Sequence, residues 1–326
     1  MDAWTPDRLS PAVDSPTGDP QLELLALRDG RGVHGRASGD RLDLRGRDAA
    51  DLLHRLSASE VRDLPVGSAA RAIFTDDKGR IVDIPLLCTT EAGLSLLCGP
   101  GRGETLRAWI ERFLITEDAT VAPTSARFAL GLVGDHSVHA VADALDELVE
   151  HDDSWEDADV LLAADNALGV TLGHLEVEVA RSEALLAVLA ESSLVPCGER
   201  ALRQWRIESG RALPGPALAP GANPLELGYR ALVSFTKGCY VGQEVVARLD
   251  TYDKVKRHLA WLDSAAAAPA QSDLEAGGKK VGRVLESALR LDGKGAVSLV
   301  LIDQGIGAGT TLQSAQGPGV TRALTA

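Results

Sequence analysis

The densest chemistry in this sequence lies in the octapeptide Lys237-Gly238-Cys239-Tyr240-Val241-Gly242-Gln243-Glu244. It sets a cation, a thiol, a phenol, an amide and a carboxylate around two glycines, which permit a tight turn or a close backbone approach to a ligand. Glu244 can open a helix through Val245, Val246, Ala247, Arg248 and Leu249, with acid in the first turn as the helix dipole prefers. A helix start favours anions, a thiolate among them. Cys239, flanked by Lys237 and that helix start, is therefore the one cysteine in an activating setting. Read from the residues alone, it is either a reactive or ligand-contacting thiol or a buried structural one.

Two neighbouring segments add carboxylates. Residues 200–210 read as a helix with a solvated basic face, closed by Gly210. Glu208 sits in its last turn, where a carboxylate faces the negative end of the dipole, so a partner beyond the helix is expected. A long loop of prolines and glycines follows (Pro214-Gly215-Pro216, then Pro220-Gly221), and it ends in Asn223-Pro224-Leu225-Glu226. Such a loop is either functional or a linker.

The elements that must position these groups are mixed. Residues 42–48 read as a short strand and turn, with Asp48 as N-cap of a helix carrying Ala49, Leu52, Leu53 and Leu56. Strands are expected over 69–74 and 81–88, joined by a hairpin in which Gly79 takes positive φ. A third strand follows at 94–98 and a helix at 103–113. The stretch 128–194 alternates strands (130–134, 160–164, 169–172) with helices (138–149, 182–191). No clean βαβ repeat appears, which favours α+β. After about residue 255 short Val/Leu runs between glycine turns (259–262, 281–285, 296–302, 310–313) read as a small antiparallel barrel.

The 326 residues are too many for one compact core. Lys and Arg number 33 against 47 Asp and Glu, a net charge of −14, which argues against a general nucleic-acid binder. No apolar run reaches the length of a membrane span and no secretory leader is visible, so a cytoplasmic, acidic monomer is expected. Cys88, Cys98, Cys197 and Cys239 form no CxxC pair and no zinc-ligand spacing. No metal is expected, and Cys88 and Cys98 read as inert core residues.

The octapeptide matches the K-G-C-aromatic-x-G-Q-E signature, and on it the chain resembles the YgfZ branch of the folate-binding GcvT-like family. Arg206-Ile207-Glu208-Ser209-Gly210, residues 223–228, 42–49, 78–83 and 278–284 resemble further family segments in the same order, so the likeness runs from about residue 22 to 326. It implies an α+β, three-domain fold around a central channel with a C-terminal antiparallel β-barrel. The N-terminal segment 1–21, rich in Pro, Asp and Ser, is expected from its composition to be poorly ordered, with Trp4 as the one residue to anchor part of it; the parts implied after it are a first domain of 22–55 plus 122–195, a second of 56–121 plus 196–254, and a barrel over 255–326. It also implies tetrahydrofolate or a derivative as cofactor, with Glu208 on the pterin edge and Glu226, Lys237, Tyr240, Gln243, Glu244 and Arg248 as further binding residues. Asp83 falls where glycine-cleavage T-proteins place an acid near the reacting folate nitrogen; a solvated hairpin aspartate is the alternative. Arg248 and the cluster Lys254, Lys256 and Arg257 either receive the folate tail or are solvated surface. T-proteins have no cysteine at position 239. The function implied is support of iron–sulfur cluster assembly or repair in client enzymes through Cys239, or else folate-dependent aminomethyl transfer or demethylation.

Overall fold

A computed structural model describes residues 3–36, 40–124, 127–155, 159–213, 218 and 221–324. The chain forms two compact units, each built from two separate stretches: Met1–Arg41 with Pro123–Trp205, and Leu42–Ala122 with Arg206–Ala326. The sequence-predicted loop residues Pro214, Gly215, Pro216 and Pro220 lie outside the described residues.

In the first unit a five-stranded sheet runs in the order Leu161–Asp165, Leu172–Val177, Phe128–Val133, Gly32–Arg36, Val195–Pro196. The last pair is parallel and the others are antiparallel. Val33, Leu130, Leu132, Leu175 and Val177 alternate onto one face and pack with Val141, Leu148, Leu185 and Leu189 of the helices Asp135–His151 and Ser182–Ala190. The N-terminal segment, expected to be poorly ordered, is instead part of this core. Leu9 is 3% exposed, Trp4 packs against the same cluster, and the Ser15 and Thr17 hydroxyls donate to buried Glu23. Apolar residues at Trp4 and Leu9 outweigh the disorder-prone composition around them.

In the second unit one five-stranded sheet has the order Ala69–Arg71, Leu86–Thr90, Gly93–Leu97, Arg41–Arg45, Thr120–Pro123. Leu42 and Leu44 join Leu52, Leu53, Phe74, Leu96 and Leu106 in its core. The first switch between units therefore falls at residue 41 and not at 55, because the apolar face of 42–56 belongs to this second core. Asp48 stands at the N-cap position of the helix Ala49–Leu56 without capping it; its carboxylate accepts the Asp118 amide at 2.7 Å. The expected long hairpin 69–88 is broken in two. Phe74–Thr75 and Ile81–Asp83 form a separate two-stranded ribbon with a register shift after Phe74.

The C-terminal strands close a six-stranded antiparallel barrel. Its order is Arg257–Ser264, Ala296–Asp303, Lys279–Leu289, Asp273–Ala276, Thr311–Ser314, Gly317–Arg322, with the last pairing back to the first. Leu262, Leu274, Val284, Val300, Ile302 and Leu312 fill it. The barrel belongs to the second compact unit.

Candidate functional site

Every sequence-predicted site residue lies in the second unit. The octapeptide is seated on the ribbon Phe74–Asp83. Thr75, fully buried, donates its hydroxyl to the Val241 carbonyl at 2.5 Å. Gly242 takes φ +83, and a Cβ there would lie 2.4 Å from the Asp76 carbonyl oxygen, so both conformation and space demand glycine. The helix Gln243–Thr251 starts at this glycine. Its Val245 and Val246 meet Gly79 at the ribbon turn, where φ is +67.

Lys237 faces away from solvent. Its half-buried ammonium donates to the carbonyls of His54, Ser57 and Ser59, the last two at 2.9 and 2.8 Å, and lies 5.8 Å from the Tyr240 ring centroid. Two of these carbonyls stand just beyond the helix Ala49–Leu56, so the lysine acts as a C-terminal cap supplied from far along the chain. Burial pulls its pKa down to about 8, and the three acceptors match the three protons it carries at neutral pH. Further bonds tie the same loop to the octapeptide's approach: Ser59 Oγ donates to the Leu232 carbonyl and Ser234 N to the Ala58 carbonyl, each at 2.8 Å. Lys237 is thus a staple beneath the turn, not a cation offered to a ligand. Above it Cys239 is exposed, whereas Cys88, Cys98 and Cys197 are buried. The reading of Cys239 as a buried thiol is overturned, and that of Cys88 and Cys98 as core residues agrees with the structure.

Asp83 pairs across the ribbon with Phe74 and is fully buried, which removes the solvated alternative. Burial pushes its carboxyl above the ordinary range. The Ile84 and Gly99 amides and the guanidinium groups of Arg102 and Arg71 offset that only in part. Oδ2 accepts the Gly99 amide at 3.3 Å, while Oδ1 has no hydrogen bond of good geometry among the described residues. Tyr240 repeats the pattern: its ring is buried, its hydroxyl has no partner among the described residues, and burial lifts its pKa to about 12. Buried polar atoms normally find partners. Two such atoms stand here, one on the ribbon and one on the octapeptide seated against it.

The other candidates divide. Glu208 is half-buried at the end of the helix Glu199–Glu208. Gln243 is half-buried on the helix that starts at Gly242, and Glu244 and Arg248 are exposed on it. Glu226, expected to touch the cofactor, is instead a structural pin. It is 5% exposed, its two oxygens accept the Arg257 guanidinium at 2.8 and 2.6 Å, and one also accepts the Asn223 amide at 3.1 Å. This fixes the loop to the first barrel strand and removes Arg257 from the basic cluster. Sequence reading missed Thr75 and Arg102, whose roles come from partners distant in the chain.

Among the described residues, no group of three or more His, Cys, Asp and Glu could hold a metal ion, and no helix is long and apolar enough to cross a membrane. No protein-family model matches the chain. A chloroplastic protein of Arabidopsis thaliana named as a transferase is 23% identical over 268 residues, which cover 79% of this chain and 62% of that protein, less than two thirds of its length. The tRNA-modifying protein YgfZ of Serratia proteamaculans is 27% identical over 274 residues, covering 79% of this chain and 80% of the relative. The glycine cleavage system aminomethyltransferase T of Bartonella henselae shares the fold, with a TM-score of 0.73 at 18% identity over 93% of this chain and 88% of that one. Sequence and fold point the same way: the chain is similar in sequence to YgfZ and to aminomethyltransferases, and it has the fold of the aminomethyltransferase T.

Proposed function

We propose that this protein binds tetrahydrofolate, or a derivative of it, and supports assembly or repair of iron–sulfur clusters in client enzymes, with Cys239 as its working thiol. The observation that carries the reading is the exposure of Cys239 alone among the cysteines, on a turn held by Lys237, Thr75 and Gly242. A cluster needs about four thiolate ligands, and the other three cysteines are buried. A cluster or sulfur species reaching Cys239 would therefore take its remaining ligands from the client. The acidic surface, net charge −14, suits a protein partner better than nucleic acid, and we place the protein in the cytoplasm as a monomer.

Tetrahydrofolate supplies a nitrogen carrier for one-carbon groups. Its aminopyrimidinone edge presents adjacent N–H donors, which a carboxylate such as Glu208 accepts as a charge-assisted pair. Asp83, raised by burial, can hold a proton on Oδ1 and donate it, and the Tyr240 hydroxyl is a second donor. A second reading, a folate-dependent one-carbon transferase, draws on Asp83: a buried carboxyl of raised pKa is the usual form of a proton carrier.

Complementation of a YgfZ-deficient bacterium tests the choice, scored by an iron–sulfur enzyme and by glycine cleavage. Wild-type rescue of the iron–sulfur enzyme that is lost with Cys239→Ala and kept with Asp83→Asn supports the first reading. Glycine cleavage that depends on Asp83 and ignores Cys239 refutes it in favour of the second.

A further inference from the structure

The end of the helix carrying Glu208 is fixed by the barrel. Arg206 reaches Glu286 with Nη2 at 2.6 Å and Nε at 3.2 Å. Their side chains are 12% and 6% exposed. Glu286 follows a bulge in the strand Lys279–Leu289, where the register slips between Val284 and Glu286; bulges of this kind re-aim a side chain. One residue on, the Ile207 carbonyl accepts the Trp261 indole N–H at 2.7 Å. That carbonyl is one of the last four of the helix, which lack an intrahelical partner. Trp261 is buried, with the Arg322 guanidinium 4.1 Å from its ring centroid. Beyond Glu208, Gly210 at φ +68 would bring a Cβ to 3.2 Å from both the Trp261 ring and the Leu324 side chain. Glu208 therefore stands between two residues pinned to different barrel strands on one side and a glycine packed on the same tryptophan on the other.

A plain helix end needs none of this. Ser209 Oγ already donates to the Arg206 carbonyl at 2.6 Å, and the Gly210 amide to the Ile207 carbonyl at 3.1 Å. To an end already closed in this way the barrel adds a third donor and a buried ion pair. We propose that Trp261 and Glu286 are positioning residues: the barrel serves the site by fixing the direction in which Glu208 meets the pterin edge. This rests on the folate reading above.

The test is tetrahydrofolate affinity by equilibrium dialysis in wild type, Glu208→Gln, Trp261→Phe, Glu286→Gln and the double variant Glu208→Gln/Trp261→Phe, with hydrogen exchange over residues 204–213. Trp261→Phe removes the donor but also trims the ring that packs on Gly210, and Glu286→Gln, which keeps the side-chain shape, carries the test if that variant folds less well. Each single barrel variant should weaken binding about tenfold, the scale of one lost buried hydrogen bond, and speed exchange in that segment. In the Glu208→Gln background Trp261→Phe should cost nothing further, because the direction of a group already removed no longer matters. Binding lost with Glu208→Gln but unchanged by both barrel variants overturns the positioning role and leaves the folate reading intact. So does an equal further loss in the double variant. A wild type that does not bind tetrahydrofolate overturns both.

Discussion

Replacing Glu226 with alanine separates the structural role assigned to it here from the ligand role its sequence context suggested. The substitution removes two charge-assisted bonds from Arg257 and one from the Asn223 amide. Hydrogen bonds to charged groups contribute about 1.5–3 kcal/mol each, so the two from Arg257 set an upper range of about 3–6 kcal/mol. Arg257 keeps the Gly221 carbonyl at 3.1 Å and is 27% exposed, so water reaches the abandoned guanidinium and the lower end applies, about 3 kcal/mol. With a urea slope of about 2 kcal/mol/M, the denaturation midpoint should fall by about 1.5 M. The double variant Glu226→Ala/Arg257→Met should recover about half of that, because it no longer strands a charge beside a buried surface. Circular dichroism against urea reads both numbers, and equilibrium dialysis reads tetrahydrofolate. A midpoint unchanged within about 0.3 M, together with lost folate binding, would refute the pin and return Glu226 to the ligand shell.

Three further outcomes are expected. Lys237→Met takes a donor from three carbonyls, of which the Ser59 one keeps the Ser57 hydroxyl at 2.9 Å, and should lower stability by about 2–4 kcal/mol, read by thermal unfolding, while Cys239→Ala, an exposed change, should leave it within about 0.5 kcal/mol. Native protein should offer one thiol to Ellman's reagent and four in urea, as the burial of Cys88, Cys98 and Cys197 requires; two or more native thiols would contradict the core assignment. In the first unit, burial raises the Glu176 pKa, but the bonds from His174 and Arg41 outweigh it and hold the carboxyl below 4.5. A depressed carboxyl contributes stability that is complete above its unfolded value and lost as pH falls through the folded one. Unfolding curves of Glu176→Gln from pH 6 to 3 should therefore be flatter below about pH 4.5 than those of the wild type.

The parts legible in the sequence were those with a local signal. The strand 296–302 reads from an apolar run interrupted only by Ser298, and the helix after Gly242 reads from glycine followed by an acidic first turn. The octapeptide stood out because its residue types are chemically mixed and contiguous. The pins were not legible, because Arg206 and Glu286 lie 80 residues apart and Glu226 and Arg257 lie 31 apart; nothing in the flanking sequence of either partner marks the other. Asp83 shows the same limit from the other side. A short ribbon beside charged turn residues looks alike whether its aspartate faces water or the interior, and only the packing of Phe74 and the octapeptide decides. The expected long hairpin failed for a comparable reason: Ala72, Ile73 and Ile84 are each buried, so apolar pattern alone could not reveal the break between the sheet and the ribbon.

The contacts that seat the octapeptide also set a timetable for making the protein. Thr75 and Val241 are 166 residues apart, and Lys237 and His54 are 183 apart. At a synthesis rate of about 5–20 residues per second, roughly 10–40 s pass between the appearance of the His54 carbonyl and that of the lysine that caps it. For that interval the ribbon and the loop after residue 56 stand on the ribosome without the segment that completes them. Cys239 then emerges two residues behind its anchor, into a seat whose other half already exists. The nascent chain therefore never displays this thiol before the ribbon that seats it has been made.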